Sequence, residues 1–367
     1  MPVMIPPTSS PLVVVLPVFV DAVVCTVAWP GLKSEHLLVL LKVSPSRNSM
    51  PQVSMPEESM VRAPKKIIID TDPGIDDAMA ILLAFESPEL DIIGITTTFG
   101  NVRTTMATNN ALHLCELGGR DDIPVSQGLE TSLRGQLKNR IADFVHGQDG
   151  LGNTHPPAPK RSAIAQSAPD FFRQKSKEYP GEVTIVALGP LSNVAKAVED
   201  DPDFAKNIGQ IIVLGGNFMV NGNVNPAAEA NIYGDPEAAD IVFTCGADII
   251  IIGINVTHQV FFTGKEMEEV RDSKGKYGKY LYDVSKFYFA YHQNAYDIDG
   301  CQYHLPIYGT SLLNHHTKGL KTLGSWEHLV YRWAEPTDWC NLPEVKVAMT
   351  VDAPAISKMM KDRLMGV

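Results

Sequence analysis

From Lys65 onward the chain alternates short apolar runs with segments whose apolar residues recur at helical spacing. Ile67-Ile68-Ile69 is a β-branched run, whereas Ile75–Glu86 repeats its apolar positions every three or four residues and stops before Pro88. Ile92–Thr97 predicts a second buried strand, followed by a helical stretch near Thr104–Leu117. Val183–Leu188, Gln210–Leu214 and Asp248–Ile254 predict further strands, residues 277–296 a helix, and Val345–Val351 with Pro354–Leu364 the closing strand and helix. Apolar strands alternating with helices predict an α/β fold: one large open sheet, mostly parallel, with helices on both faces. Such sheets bind ligands at the carboxyl ends of their strands, so the loops that follow strands are where chemistry is sought.

Residues 1–62 differ from this pattern, being rich in proline and poor in charge. The apolar run 12–29 is long enough to raise a membrane or signal segment, but Pro17 and Asp21 interrupt it and no Lys or Arg precedes it. Met50, Met55 and Met60 are alternative starts. The expectation is a disordered or mispredicted extension over 1–62, with a targeting segment as the alternative, and one domain over 63–367.

Composition narrows the function. Hydrophobic residues at 44% and charged residues at 20% suffice for a large core, and 42 acids against 31 bases give a net charge of −11. An acidic surface argues against nucleic acid and against an anionic membrane as partners. Five cysteines with no CxxC pair fit neither a disulfide framework nor a structural zinc site, so reduced thiols in the cytoplasm are expected.

The candidate chemistry lies after the first strand. Asp70, Asp72, Asp76 and Asp77 fall within eight residues, around the turn formed by Pro73-Gly74. A helix dipole favours one or two acids in a first turn. Four at one strand end would repel one another without a cation. Adjacent helical residues point about 100° apart, so one of Asp76 and Asp77 can ligate an ion while the other reaches a water bound to it. Oxygen-only donors select a hard cation such as Ca²⁺ or Mg²⁺. A polarised water beside a carboxylate base is a nucleophile at neutral pH.

The sequence DTDPGIDDA at 70–78 resembles the signature of the inosine–uridine nucleoside N-ribohydrolase family, and the likeness continues through TTTFGN at 96–101, FVHGQDGLGN at 144–153, ALGPLSN at 187–193 and NVNPAAEANIYGDPEAA at 223–239. It covers roughly 65–304 and again about 343–364, and plant uridine ribohydrolases are the nearest type. The resemblance implies a Rossmann-like fold and hydrolysis of the N-ribosidic bond of uridine, inosine or related nucleosides to base and ribose. It also implies a Ca²⁺ cofactor and a homodimer or homotetramer. Carried over residue by residue, Asp72, Asp77 and the Leu188 carbonyl would hold the ion and Asp76 would be the general base. Asp70 would orient them from behind. Asn101, Asn223, Glu229 and Asn231 would bind the ribose. His304 would assist the leaving base, His292 and Tyr296 would line its pocket, and His146, on a flexible-looking glycine-rich loop, would close over it.

The likeness breaks at one point. Where the family has His-Asp-Pro, with the acid a Ca²⁺ ligand, this chain reads His304-Leu305-Pro306, and 305–331 is out of pattern. Either the natural enzyme has the acid there, or this chain is a weakened, nucleoside-binding paralogue. Asp70-Thr71-Asp72 also reads as the DxD of a haloacid-dehalogenase-type phosphotransferase, although no glycine-rich phosphate loop accompanies it.

Overall fold

In the computed structural model, which describes residues 12–13, 63–135, 141–297, 343 and 345–367, the apolar runs become strands of one sheet. Among the described residues these are Lys65–Thr71 (β1), Leu90–Thr97 (β2), Val125–Gln127 (β3), Thr184–Ala187 (β4), Gln210–Leu214 (β5), Ile249–Ile252 (β6) and Lys346–Val347 (β7). Their spatial order is β3-β2-β1-β4-β5-β6-β7. Every neighbouring pair is parallel, as expected of the open α/β sheet. A short antiparallel ladder joins Leu12–Val13 to Phe261–Phe262 outside it.

The strand residues alternate between two cores, which is what a side-chain period of two requires. Ile67 and Ile69 face one core, shared with the helices Ile75–Phe85 (α1), Thr104–Gly118 (α2) and Gly278–Asp297. Ile68, Ile185, Ile211 and Ile249 face the other, with Phe171, Phe172, Val194 and Val242 from the helices Ala168–Glu178, Ser192–Asp200 and Pro236–Thr244. Layers on both faces explain why the strands are apolar on both sides.

One sequence expectation changes at a sheet edge. The closing strand pairs only through Lys346 and Val347, not over 345–351, because β6 already ends at Ile252 and turns at Gly253 into the short helix Ile254–Thr257. At the opposite edge β3, three residues long and beside β2, carries too short a run for any periodicity to reveal. The strand order reverses between β1 and β4, and it is there that loops diverge to leave a crevice. Among the described residues no helix is long and apolar enough to cross a membrane.

Candidate active site

The reversal point is occupied by the acid cluster. β1 ends at Thr71, and Pro73-Gly74 turn the chain into α1, whose N-terminus is capped by Asp77: its Oδ2 accepts from the Gly74 N–H at 3.1 Å. Asp77 Oδ1 accepts from the Thr71 hydroxyl at 2.6 Å, and Oδ2 also from Asn101 Nδ2 at 2.8 Å. Asp72 Oδ2 accepts from the Asn101 N–H at 2.5 Å. The approach is possible because residue 100 is glycine, at φ +152°. Asp72 Oδ1 and Asp76 Oδ1 are buried and no protein donor reaches them.

Burial dominates the electrostatics here. It pushes Asp76 up to about 6, and with the charge of Asp76 it pushes Asp77 to about 6 as well. Asp72 is held well above the usual carboxylate range by burial and then by the charge of Asp77. Buried carboxylates with unpaired oxygens disfavour ionisation unless a cation compensates them. The donor set is oxygen only, which fits a hard divalent ion. Among the described residues no three His, Cys, Asp or Glu side chains already form a coordinating group, so a ligand set needs backbone oxygen as well. The Leu188 carbonyl, just past β4, is such an oxygen. It accepts one bond, from Asn231 Nδ2 at 2.7 Å, and a carbonyl oxygen has a second lone pair.

Asp70 stands behind this group. It is fully buried and its Oδ1 accepts from the Thr96 hydroxyl at 2.7 Å and Asn193 Nδ2 at 2.9 Å; burial raises it to about 6. It does not line the cavity, which denies it the nucleophile role of the phosphotransferase reading.

A cavity of about 440 Å³ opens over the carboxylates and is lined by Asp72, Asp76, Asp77, Asn101 and Leu188 on its floor. Asn223, Glu229 and Asn231 line it too, but each is already engaged with the backbone. Glu229 caps the short helix Ala230–Gly234, accepting from the Asn231, Ile232 and Gly216 N–H groups at 2.9, 3.1 and 3.0 Å. Asn223 Oδ1 accepts from the Ala230 N–H at 2.9 Å, and Asn231 Nδ2 also donates to the Leu214 carbonyl at 3.0 Å. The polar trio is therefore rigidly placed rather than loosely flanking a helix.

One expectation is corrected. His146 ends the short helix Asp143–His146 and is packed in rather than standing on an open glycine-rich loop: it is 5% exposed, and its Nδ1 accepts from the Ile75 N–H at 3.2 Å. That bond fixes the tautomer with hydrogen on Nε2, and burial holds the ring at about 4, hence neutral. Its Nδ1 lies 3.8 Å from Asp76 Oδ1, but a neutral accepting nitrogen forms no ion pair there. His292 lines the same cavity, held down to about 4 by burial and by His146. The backbone of Tyr296 lies in the helix Gly278–Asp297, but its side chain and His304-Leu305-Pro306 fall outside the described residues.

Sequence reading missed the aromatic wall beside these histidines. Tyr288 lies 5.6 Å from His146 and 4.3 Å from His292, ring centre to ring centre, with Tyr291 5.2 Å from His292 and Phe144 beyond it. Spacing was the available signal: 288, 292 and 296 share one helical face.

Comparison with known proteins agrees with this geometry. The family model described as inosine-uridine preferring nucleoside hydrolase matches residues 67–358. A probable uridine nucleosidase 2 of Arabidopsis thaliana is 54% identical over 314 residues, covering 82% of this chain and 98% of its own. A solved plant nucleoside hydrolase is similar with a TM-score of 0.72 at 57% identity, over 83% of this chain and 100% of that one. A purine-preferring ribonucleoside hydrolase from Gardnerella vaginalis is similar with a TM-score of 0.68 at 34% identity, over 82% and 98% of the two chains.

Proposed function

Since the chain belongs to the inosine-uridine preferring nucleoside hydrolase family and is a nucleoside N-ribohydrolase, we propose that its substrate is uridine first, with inosine as a second, and that Ca²⁺ is its cofactor. The single observation that carries the cofactor reading is the pair of buried, unpartnered carboxylate oxygens, Asp72 Oδ1 and Asp76 Oδ1, at the floor of the cavity. Asp72, Asp77 and the Leu188 carbonyl would hold the ion. Bound there, it would polarise a water and lower the cost of that water losing its proton.

The chain's own groups account for the rest. Asp76, raised to about 6 by burial, is a proton acceptor suited to near-neutral operation. Departure of the base leaves positive charge on the ribose, which buried Asp and Glu oxygens favour electrostatically. Glu229 and Asn231 supply fixed oxygens along the wall, and their backbone bonds keep them from collapsing into the cavity. His146 and His292, neutral at pH 7, can give a hydrogen bond to a departing base but carry no spare proton. The proton itself is assigned to His304 by family resemblance, which also has Tyr296 line the base pocket. Uridine is placed first because the Arabidopsis thaliana relative at 54% identity is described as a probable uridine nucleosidase.

Cytoplasmic location and assembly as a homodimer or homotetramer complete the proposal. Cys115 and Cys245 are free thiols among the described residues, which suits a reducing compartment. A specific residue favours a second reading: Leu305 in place of the family's acidic ligand would leave a nucleoside-binding paralogue of weak activity. The test is release of uracil and ribose from uridine, and of hypoxanthine from inosine, in phosphate-free buffer with Ca²⁺ present or chelated. Release that stops on chelation supports the proposal. Nucleoside binding without release supports the paralogue.

A further inference from the structure

Resting on the nucleoside hydrolase reading, we propose that Asn110 is a positioning residue that locks the His146 loop onto the carboxylate turn. Asn110 lies on α2, outside the motifs, and is buried at 5% exposure. A primary amide has two N–H bonds. Nδ2 of Asn110 directs them to the Pro73 carbonyl at 3.1 Å and the Asp149 carbonyl at 2.9 Å. Those carbonyls belong to the turn that leads into α1 and Asp76, and to the loop that follows His146 at the end of the short helix Asp143–His146.

Both anchor points are stiff. The Asp149 carboxylate gathers its own loop by accepting from the Leu151, Asn153 and His155 N–H groups at 2.8, 2.9 and 2.7 Å. Pro73 directly precedes the cap of α1. Gly150, at φ +77°, packs its backbone over the joint: a Cβ there would fall 2.9 Å from Asn110 Nδ2 and 3.0 Å from the Pro73 carbonyl oxygen. The bond from the Ile75 N–H to His146, between residues 71 positions apart, forms only when the two loops are in register. Asparagine is required by the chemistry. A carboxylate at 110 would face two carbonyl oxygens with no hydrogen to give, and an apolar side chain would leave both carbonyls without this donor.

The experiment compares wild type with Asn110→Asp, Gly150→Ala and a control, Val242→Ala, which loosens the opposite core. Uridine kinetics with Ca²⁺ and hydrogen exchange of the loop amides in the ligand-free protein are measured well below each melting temperature. The clamp predicts that Asn110→Asp and Gly150→Ala lower kcat by about tenfold or more while KM moves less than about threefold, because the ribose-facing wall is untouched. It also predicts that the Leu151 and Asn153 amides exchange about tenfold faster in these variants and not in Val242→Ala. Exchange no faster than in the control, or kcat no lower than in the control, overturns the proposal. Should wild type hydrolyse no nucleoside, the activity reading fails by itself, and loop exchange alone upholds or overturns the clamp.

Discussion

Gly100→Ala is the sharpest probe of how the carboxylates are held. A Cβ on residue 100 would overlap Asp72 Oδ2 and lie 3.1 Å from both Asp72 Cγ and Pro190 Cδ. Asp72 must then swing away and give up the 2.5 Å bond from the Asn101 N–H. A hydrogen bond to a charged group is worth about 1.5–3 kcal/mol. Alanine at φ +152° adds about 1–3 kcal/mol of backbone strain. Swinging a buried carboxylate toward water recovers part of this, so a net loss of about 2–4 kcal/mol is expected. For a domain of this size that lowers Tm by roughly 3–6 °C. A displacement of the Asp72 carboxylate by about 1 Å is expected to cut kcat/KM by around 100-fold. Gly181→Ala separates strain from collision, since Gly181 also has positive φ (+77°) but nothing within 4 Å of its Cβ position. Its loss should be about 1 kcal/mol with activity intact. The measurements are thermal unfolding and uridine turnover on all three proteins. A Gly100→Ala enzyme indistinguishable from Gly181→Ala in both would refute the idea that the glycine exists to admit Asp72.

Three further outcomes are expected. Burial raises Asp70, Asp76 and Asp77 to about 6 from an ordinary 3.8, so chelator-treated folded protein binds more protons than the unfolded chain and should lose stability as pH rises from about 4 through 6. Added Ca²⁺ offsets that loss, and its Tm increment should be clearly larger at about pH 7.5 than at about pH 5; equal increments in a melting scan would remove the carboxylates as ligands. Asp76→Asn should lower kcat by about 10²–10⁴-fold while Tm holds or rises, because a buried charge is removed; a fall in both would mark Asp76 as structural. Leu305→Asp should tighten Ca²⁺ about tenfold or more in a calorimetric titration, and no change would show that this position is not at the ion.

The strand and helix alternation was legible because period two and period 3.6 are local properties of the chain. Gln210–Leu214 was legible to the residue, and the other elements given bounds to within a few positions, whereas the helices Ala168–Glu178 and Gly264–Asp272 were not picked out. The acid cluster was legible for a related reason: Asp72, Asp76 and Asp77 are neighbours in sequence, so one turn suffices to gather them. The motif order added the identity of the chemistry, which alternation alone does not carry.

What depended on the tertiary structure was everything that joins residues far apart in the chain. The sheet order puts β4 beside β1, bringing the Leu188 carbonyl to the Asp72 turn. No local pattern states which strand neighbours which. Asn193 reaches Asp70 across 123 residues, and Asn231 reaches Leu188 across 43. Glycine-rich composition suggested a loose loop after His146, yet hydrogen bonds to the Asp149 carboxylate and from Asn110 tie it into the fold. Glycine leaves a backbone free to take unusual angles, and only the contacts made at those angles decide whether the result is mobile or fixed.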